Sequence, residues 1–265
     1  PYNDSDIFSQ DLGFIAIVEK NRIIGYNVIV GGVMGTTFGM PETYPRLAEV
    51  IGFCTPEQIV DVAEKVLLVQ RDNGNRQNRK LSRLKYTIDR LGIDAFKAEL
   101  HKYLGYELQE PKPFAFTRNG DRFGLMKVLD SKLSLSLFVE GGRVADKNGF
   151  NLKSALREVA QNINGQFILT GNQNLVIANV SADEKKKIRE ILKKNGVLPG
   201  EISGLRQNSI ACVALNTCGL AFAEAERYLP SLISKIESIL DQHGLFKEEI
   251  VIRMTGCPNG CGRPY

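Results

Sequence analysis

The chain has 265 residues, 43% hydrophobic and 24% charged, an ordinary composition for a soluble globular protein of one large or two modest domains. It has no apolar run long enough for a membrane span and starts without the basic and apolar stretches of a secretory leader, so a cytoplasmic protein is expected. A net charge of +4 is too small to indicate nucleic-acid binding by itself, and five cysteines, odd in number and clustered, argue for metal ligation in a reducing compartment over a disulfide framework.

Segments 14–19 and 23–30 are rich in β-branched and aromatic residues and predict a strand pair across the turn-like Lys20, Asn21 and Arg22. They lead into Gly31-Gly32-Val33-Met34-Gly35, which matches neither the dinucleotide fingerprint nor the phosphate loop; a tight turn needing glycine torsions accounts for it. Thr55-Pro56-Glu57-Gln58 reads as a helix start, with Thr55 as the cap and Pro56 in the first turn. Ile59, Val62, Ala63, Val66 and Leu67 then form one apolar face. Cys54, just before the cap, is expected to be a structural thiol. Segment 70–90 is the basic hot spot. At helical spacing Arg76, Lys80 or Arg79, and Arg83 share one face, which reads as a solvated surface, a phosphate-binding strip, or a pocket for a polycarboxylate and a small oxyanion.

A helix is predicted over 94–105, closed by Gly105, and Pro111-Lys112-Pro113 marks a boundary. Beyond it come a hairpin (122–128 and 133–139), a helix (152–163), two strands (166–170 and 175–178), and a helix (182–195) capped by Ser181 and ended by Gly196. This β-β-α-β-β-α order predicts an α+β module of ferredoxin-like type. Thr170-Gly171-Asn172-Gln173-Asn174 is a polar turn between its strands. Leu229, Ile233, Ile236 and Leu240 recur at helical spacing despite Pro230, and 248–254 is expected to be a buried strand.

Four cysteines fall in two short runs: Cys212 and Cys218, separated by five residues, and Cys257 and Cys261, separated by three. Four thiolates from two loops form a complete ligand set for zinc or an iron–sulfur cluster. Structural zinc sites more often use two-residue knuckles or recruit histidines, and neither His101 nor His243 lies near a cysteine pair. The second pair is wrapped in Gly256, Pro258, Gly260 and Gly262, which keep the loop free of bulk so that backbone amides can approach cluster sulfides, and this favours a cluster.

Thr255-Gly256-Cys257-Pro258-Asn259-Gly260-Cys261-Gly262-Arg263, with Cys212-Val-Ala-Leu-Asn-Thr-Cys218 and Ala223-Glu224-Ala225-Glu226-Arg227, resembles the sirohaem-containing sulfite and nitrite reductases, most of all their sulfite-reducing members. The resemblance implies an α+β architecture with mixed sheets flanked by helices and a ferredoxin-like small module. It implies part of a first sirohaem-binding half in 1–112, the small module in 113–200, and the start of a second half, with the cysteine motifs, in 201–265. By resemblance Cys212, Cys218, Cys257 and Cys261 ligate a 4Fe-4S cluster, and Cys261 also bridges to the sirohaem iron. Arg83 and Lys85 contact the bound anion, although many members carry lysine at the place of Arg83. Arg71, Asn75, Arg76, Arg79, Lys80, Gln173, Asn174, Asn259 and Arg263 surround sirohaem.

The implied activity is six-electron reduction of sulfite to sulfide, with electrons from a flavoprotein reductase subunit or from ferredoxin, and with no nucleic acid or membrane as partner. Reduction of nitrite to ammonia is the alternative; nitrite-reducing members commonly carry serine at the place of Gly260. An alternative of another class is a non-catalytic zinc or iron–sulfur module, with the basic strip on nucleic acid, for which no aromatic-interleaved basic stripe speaks. A chain that starts at Pro1 and stops four residues past Cys261 is expected to be an excised segment, inactive alone.

Overall fold

The computed structural model describes residues 2–37, 39–128, 132–147, 149–197 and 202–262, and the chain divides into two compact units, 1–119 and 120–263. In the first unit, β1 (Tyr2–Asn3) is followed by β2 (Leu12–Glu19), β3 (Arg22–Val30) and β4 (Glu49–Cys54), the last three forming an antiparallel sheet in the order β2-β3-β4. Lys20 and Asn21 join β2 to β3 at φ 48° and 61°, the left-handed pair of a tight hairpin whose twist matches that of the strands. Three helices follow, α1 (Ile59–Asn73), α2 (Leu84–Leu91) and α3 (Ile93–Leu104), and β5 (Arg118–Asn119) pairs in parallel with β1. Val28, Val30 and Ile51 from the sheet pack with Val62, Val66, Val69, Ile88, Phe96 and Leu100 from the helices. Each such buried side chain contributes about 1.5–3 kcal/mol.

The expected start of the first helix is corrected by the structure. The helix after Thr55 starts at Ile59: residues 56–58 form a turn, the Gln58 amide donates to the Thr55 carbonyl at 3.1 Å, and Gln58 Oε1 accepts from the Thr55 amide at 3.0 Å. Thr55 thus uses its backbone where a side-chain cap was expected. Strand β4 carried no signal, because its last four residues are all buried and show no alternation, and it contains Gly52, whose added Cβ would meet Leu108. The helix over 94–105 is found as α3 and ends on Gly105 at φ 75°.

In the second unit, β6 (Gly124–Lys127) and β7 (Leu133–Leu137) form the hairpin, followed by the two-residue pair β8 (Asp146–Lys147) and β9 (Phe150–Asn151) and by α4 (Leu152–Ala160). Next are β10 (Gln166–Leu169), β11 (Leu175–Val180) and α5 (Ala182–Lys194). The four longer strands make one antiparallel sheet in the order β10-β11-β7-β6. Leu137, Ile177 and Val180 of this sheet share a core with Leu152, Val159, Ile188 and Leu192 of the two helices. Ser181 and Glu184 close a full capping box at the start of α5, and Gly196 ends it at φ 70°.

The rest of this unit is α6 (Gly204–Gln207), β12 (Ile210–Ala211), α7 (Leu229–Gln242) and β13 (Arg253–Met254), with β12 and β13 paired in parallel. Pro230 sits in the first turn of α7, where its missing N–H costs nothing. The buried strand expected over 248–254 shrinks to β13. Its partner β12 offers only two residues, and Ile250 and Val251 are exposed at 37% and 54%. Among the described residues no helix is long and apolar enough to cross a membrane.

Candidate functional site

The pairing of Ile210 with Arg253 and of Ala211 with Met254 sets the two cysteine runs alongside each other, since each run begins just past its strand. Cys212 continues the ladder, its amide donating to the Met254 carbonyl at 3.0 Å, and the Gly256 amide donates to Cys212 Sγ at 3.3 Å. The Gly256 carbonyl in turn accepts from Phe222 at 2.8 Å and Ala223 at 3.1 Å. The first loop is a tight one in which the Cys218 amide donates to the Ala214 carbonyl at 2.8 Å. The second loop turns at Gly260, φ 67°, whose amide donates to the Cys257 carbonyl at 3.3 Å. Asn259 is an exposed residue of that turn, and Arg263 lies outside the described residues.

All five cysteines are free thiols. Cys261 is exposed, Cys212, Cys218 and Cys257 are half-buried, and Cys54 is fully buried, its thiol pushed up to about 11 by desolvation. Cys54 is therefore an inert core thiol. Among the described residues no three Cys, His, Asp or Glu side chains already converge on a common point within metal range. The donor chemistry nevertheless fits an iron–sulfur cluster: four soft thiols from two adjoining loops, a backbone amide aimed at one sulfur, and no histidine in either run.

Within the same unit, Gln173, Asn174, Gly141, Gly142, Arg143 and Glu226 help to line a cavity of about 370 Å3 that reaches Ala211 and Val213 on either side of Cys212. The Thr170–Asn174 turn is built on Asp121, whose carboxylate accepts from Thr170 Oγ1 at 2.5 Å, Asn172 Nδ2 at 2.9 Å and Asn174 Nδ2 at 2.8 Å. Asn174 is buried, and its Oδ1 accepts from the Val139 amide at 2.9 Å, so its amide group braces the turn. Gln173, held at φ 66°, is exposed and reaches the Ala211 carbonyl at 3.5 Å. Across the cavity Arg143 makes a two-point pair with Glu226 at 2.5 and 2.9 Å, which holds the guanidinium further toward its charged form.

In the first unit the basic segment does not form one helical face. Helix α1 ends at Asn73, Gly74 is extended, and Arg79–Leu81 is a separate 3-10 turn before α2. The break follows from Asn75, whose Oδ1 accepts from the amides of Gln77 at 3.0 Å and Asn78 at 2.9 Å, an alternative to helical bonding. Arg71 pairs with Asp72 at 2.6 Å, Arg76 donates to the Arg71 carbonyl at 3.3 Å, and Arg79 and Lys80 are exposed. Arg83 is exposed and pairs with Asp11 at 2.5 Å.

Lys85, two residues on, is only 1% exposed. Its ammonium donates to the carbonyls of Gly35 at 2.9 Å, Val33 at 3.4 Å and Tyr44, and lies 4.9 Å from the centre of the Tyr86 ring. Burial, and after it the nearby Arg83 charge, lowers its pKa below the ordinary lysine value. Sequence reasoning missed Tyr44, Arg46, Asp89 and Asp121. Each is a single polar residue in a connecting segment or, for Asp89, on a helix surface, and only the fold reveals its partner.

Comparison with known proteins gives a consistent answer. The nitrite and sulphite reductase 4Fe-4S domain model matches residues 1–108, and the nitrite/sulfite reductase ferredoxin-like half domain model matches residues 128–195. The first match takes in the basic segment but none of the four paired cysteines. The chain is 58% identical over 264 residues to the sulfite reductase (NADPH) hemoprotein beta-component of Anoxybacillus flavithermus, covering 99% of this chain and 46% of that protein. The Bacillus subtilis protein of the same description is 57% identical over the same coverage. The chain therefore spans about half the length of the curated relatives it matches. A solved structure, that of the Mycobacterium tuberculosis NirA protein, superposes with a TM-score of 0.80 at 25% identity, over 98% of this chain and 46% of that one. The α+β fold, two successive models of one family and relatives of this identity agree: the chain belongs to the nitrite and sulfite reductase family.

Proposed function

We propose that this chain is a segment of an assimilatory sulfite reductase haemoprotein, inactive alone, whose complete form reduces sulfite to sulfide in the cytoplasm. The observation that supports the reading is the β12–β13 pairing, from the ends of which the two cysteine runs leave, in a chain more than half identical to proteins described as sulfite reductase. When bound, sirohaem coupled through a thiolate to a 4Fe-4S cluster supplies the electron relay and the anion-binding iron. Residues 1–112 are assigned to the first sirohaem-binding half, 113–200 to the ferredoxin-like module and 201–265 to the start of the second half.

In this reading the chain's own residues bind and polarise. Cys212, Cys218, Cys257 and Cys261 would hold the cluster as thiolates, Cys261 serving sirohaem as well, and the Gly256 amide would lower the charge felt at Cys212. The exposed Arg71, Arg76, Arg79 and Lys80 offer cations to the acidic edges of sirohaem, and Asn75, Gln173, Asn174, Asn259 and Arg263 complete its surroundings. Arg83 and Lys85 stabilise the negative charge of sulfite and of its developing products. The relatives' names carry NADPH and a beta-component, which supports NADPH as the electron source, delivered by a flavoprotein partner in preference to ferredoxin. Five free thiols suit the reducing cytoplasm.

The test is the full-length protein expressed with sirohaem synthesis enabled. Sulfide formed from sulfite, faster than ammonia from nitrite, supports the assignment; a strong preference for nitrite overturns it. Replacing Arg83 with Ala is expected to raise the sulfite KM about tenfold or more.

A further inference from the structure

Lys85 reaches its buried place because the segment after β3 is folded over it; the Asp89 carboxylate fastens that segment to α2, while Glu49 of β4 also pairs with Arg46. Asp89 Oδ2 accepts from the Tyr44 hydroxyl at 2.7 Å, and Asp89 Oδ1 accepts from Arg46 Nε at 2.8 Å. Asp89 lies one helical turn after Lys85 on α2, so both ends of the clamp share one rigid helix. The fastened segment supplies the Val33, Gly35 and Tyr44 carbonyls that surround the ammonium. Arg46 also donates to the Gly31 carbonyl at 3.1 Å, fixing the point where the segment leaves β3. The Tyr44 ring meets Tyr86 edge to face at 5.4 Å, and the ammonium lies within 5.6 Å of both ring centres. The Tyr44 hydroxyl, whose pKa is raised to about 12 chiefly by its bond to Asp89, stays a proton donor to that carboxylate.

We infer that Asp89 is the positioning residue for Lys85: through Tyr44 and Arg46 it holds the carbonyl cage that sets the depth and direction of the ammonium. The inference rests on the reading that Lys85 serves an anion site, but the cage itself can be tested without substrate.

The experiment compares Asp89→Asn, Asp89→Glu and a core control, Val66→Ala, in the full-length protein, reading acetylation of Lys85 by acetic anhydride relative to the exposed Lys20. Asn cannot pair with the Arg46 charge, so Lys85 labelling is expected to rise about tenfold or more. Glu keeps the carboxylate and is expected to restore protection to within about threefold. Val66→Ala removes buried α1 methyls, lowers global stability and leaves the clamp intact, so Lys85 stays protected. Equal labelling in wild type and Asp89→Asn, or an equal rise in Val66→Ala, overturns the inference. The sulfite KM of Asp89→Asn, at unchanged sirohaem content, is expected to rise several-fold. If the labelling changes while sulfite proves not to be the substrate, the cage stands and the functional reading falls.

Discussion

The backbone amide of Gly256 donates to Cys212 Sγ at 3.3 Å, so the second cysteine loop is anchored directly on a sulfur of the first. No side chain larger than hydrogen fits at this position. A Cβ on residue 256 would stand 2.6 Å from the Ala223 carbonyl oxygen and 2.7 Å from the Ala214 Cβ. Gly256→Ala is expected to cost about 1–3 kcal/mol and to shift the loop away from Cys212. Iron and labile sulfide, measured on the full-length protein, should be retained about tenfold less strongly than in wild type. Full retention in the variant would show that the amide contact does not organise the ligands.

Thiol chemistry separates the structural cysteine from the paired ones. Cys54 is fully buried and its thiol stays protonated at neutral pH, whereas Cys261 is exposed. With iodoacetamide at pH 8 on the native, metal-free chain, Cys261 is expected to be alkylated first, and Cys54 only after denaturant is added. Early modification of Cys54, read by peptide mass spectrometry, would contradict the packing described for the first unit.

What the sequence made legible was local. The hairpin at Lys20 and Asn21, the Ser181 cap of α5 and the glycine ends of α3 and α5 are written in neighbouring residues, and each is found where expected. The cysteine runs were legible because thiols are rare and their spacing is distinctive. The basic segment was read at the wrong period: charge at helical spacing predicted one face, but Gly74 and the Asn75 side chain end the helix before Arg76. Strand β4 and the clamp on Asp89 depend on contacts between distant parts of the chain, and no window of sequence contains both partners.

Acid should weaken the second unit through Glu237. Arg206 donates to its two oxygens at 2.9 and 2.6 Å, Ser203 adds a bond at 2.6 Å, and the Arg206 bonds, outweighing burial, hold the carboxyl below the ordinary glutamate value of 4.5. Folding thus favours the ionised form. The stabilisation is complete above pH 4.5 and is lost as pH falls through the lower folded value. Glu237→Gln is expected to cost about 1–3 kcal/mol at neutral pH and to flatten the decline in unfolding free energy as pH falls below the ordinary glutamate value of 4.5. Urea denaturation of wild type and variant across that fall in pH measures both, and parallel declines would assign the acid sensitivity to other carboxylates.

Asp121 gathers three side-chain donors of the Thr170–Asn174 turn onto one carboxylate. Replacing it with Ala leaves the Thr170 hydroxyl and the buried Asn174 Nδ2 without their acceptor, and each buried donor left unmatched costs about 1–3 kcal/mol. Because the amides of Asn172 and Asn174 donate to Thr170 Oγ1 at 3.3 and 3.1 Å, freeing that hydroxyl releases the backbone of the turn as well. Hydrogen exchange at these two amides is expected to accelerate about tenfold or more in Asp121→Ala. The comparator is Asp146→Ala, which removes the carboxylate bonded to Ser154 at the start of α4 and touches nothing in the turn. If both variants speed exchange at 172 and 174 equally, the effect is general loosening of the unit. If only Asp121→Ala does so, the carboxylate is what holds Gln173 at the cavity edge beside Ala211.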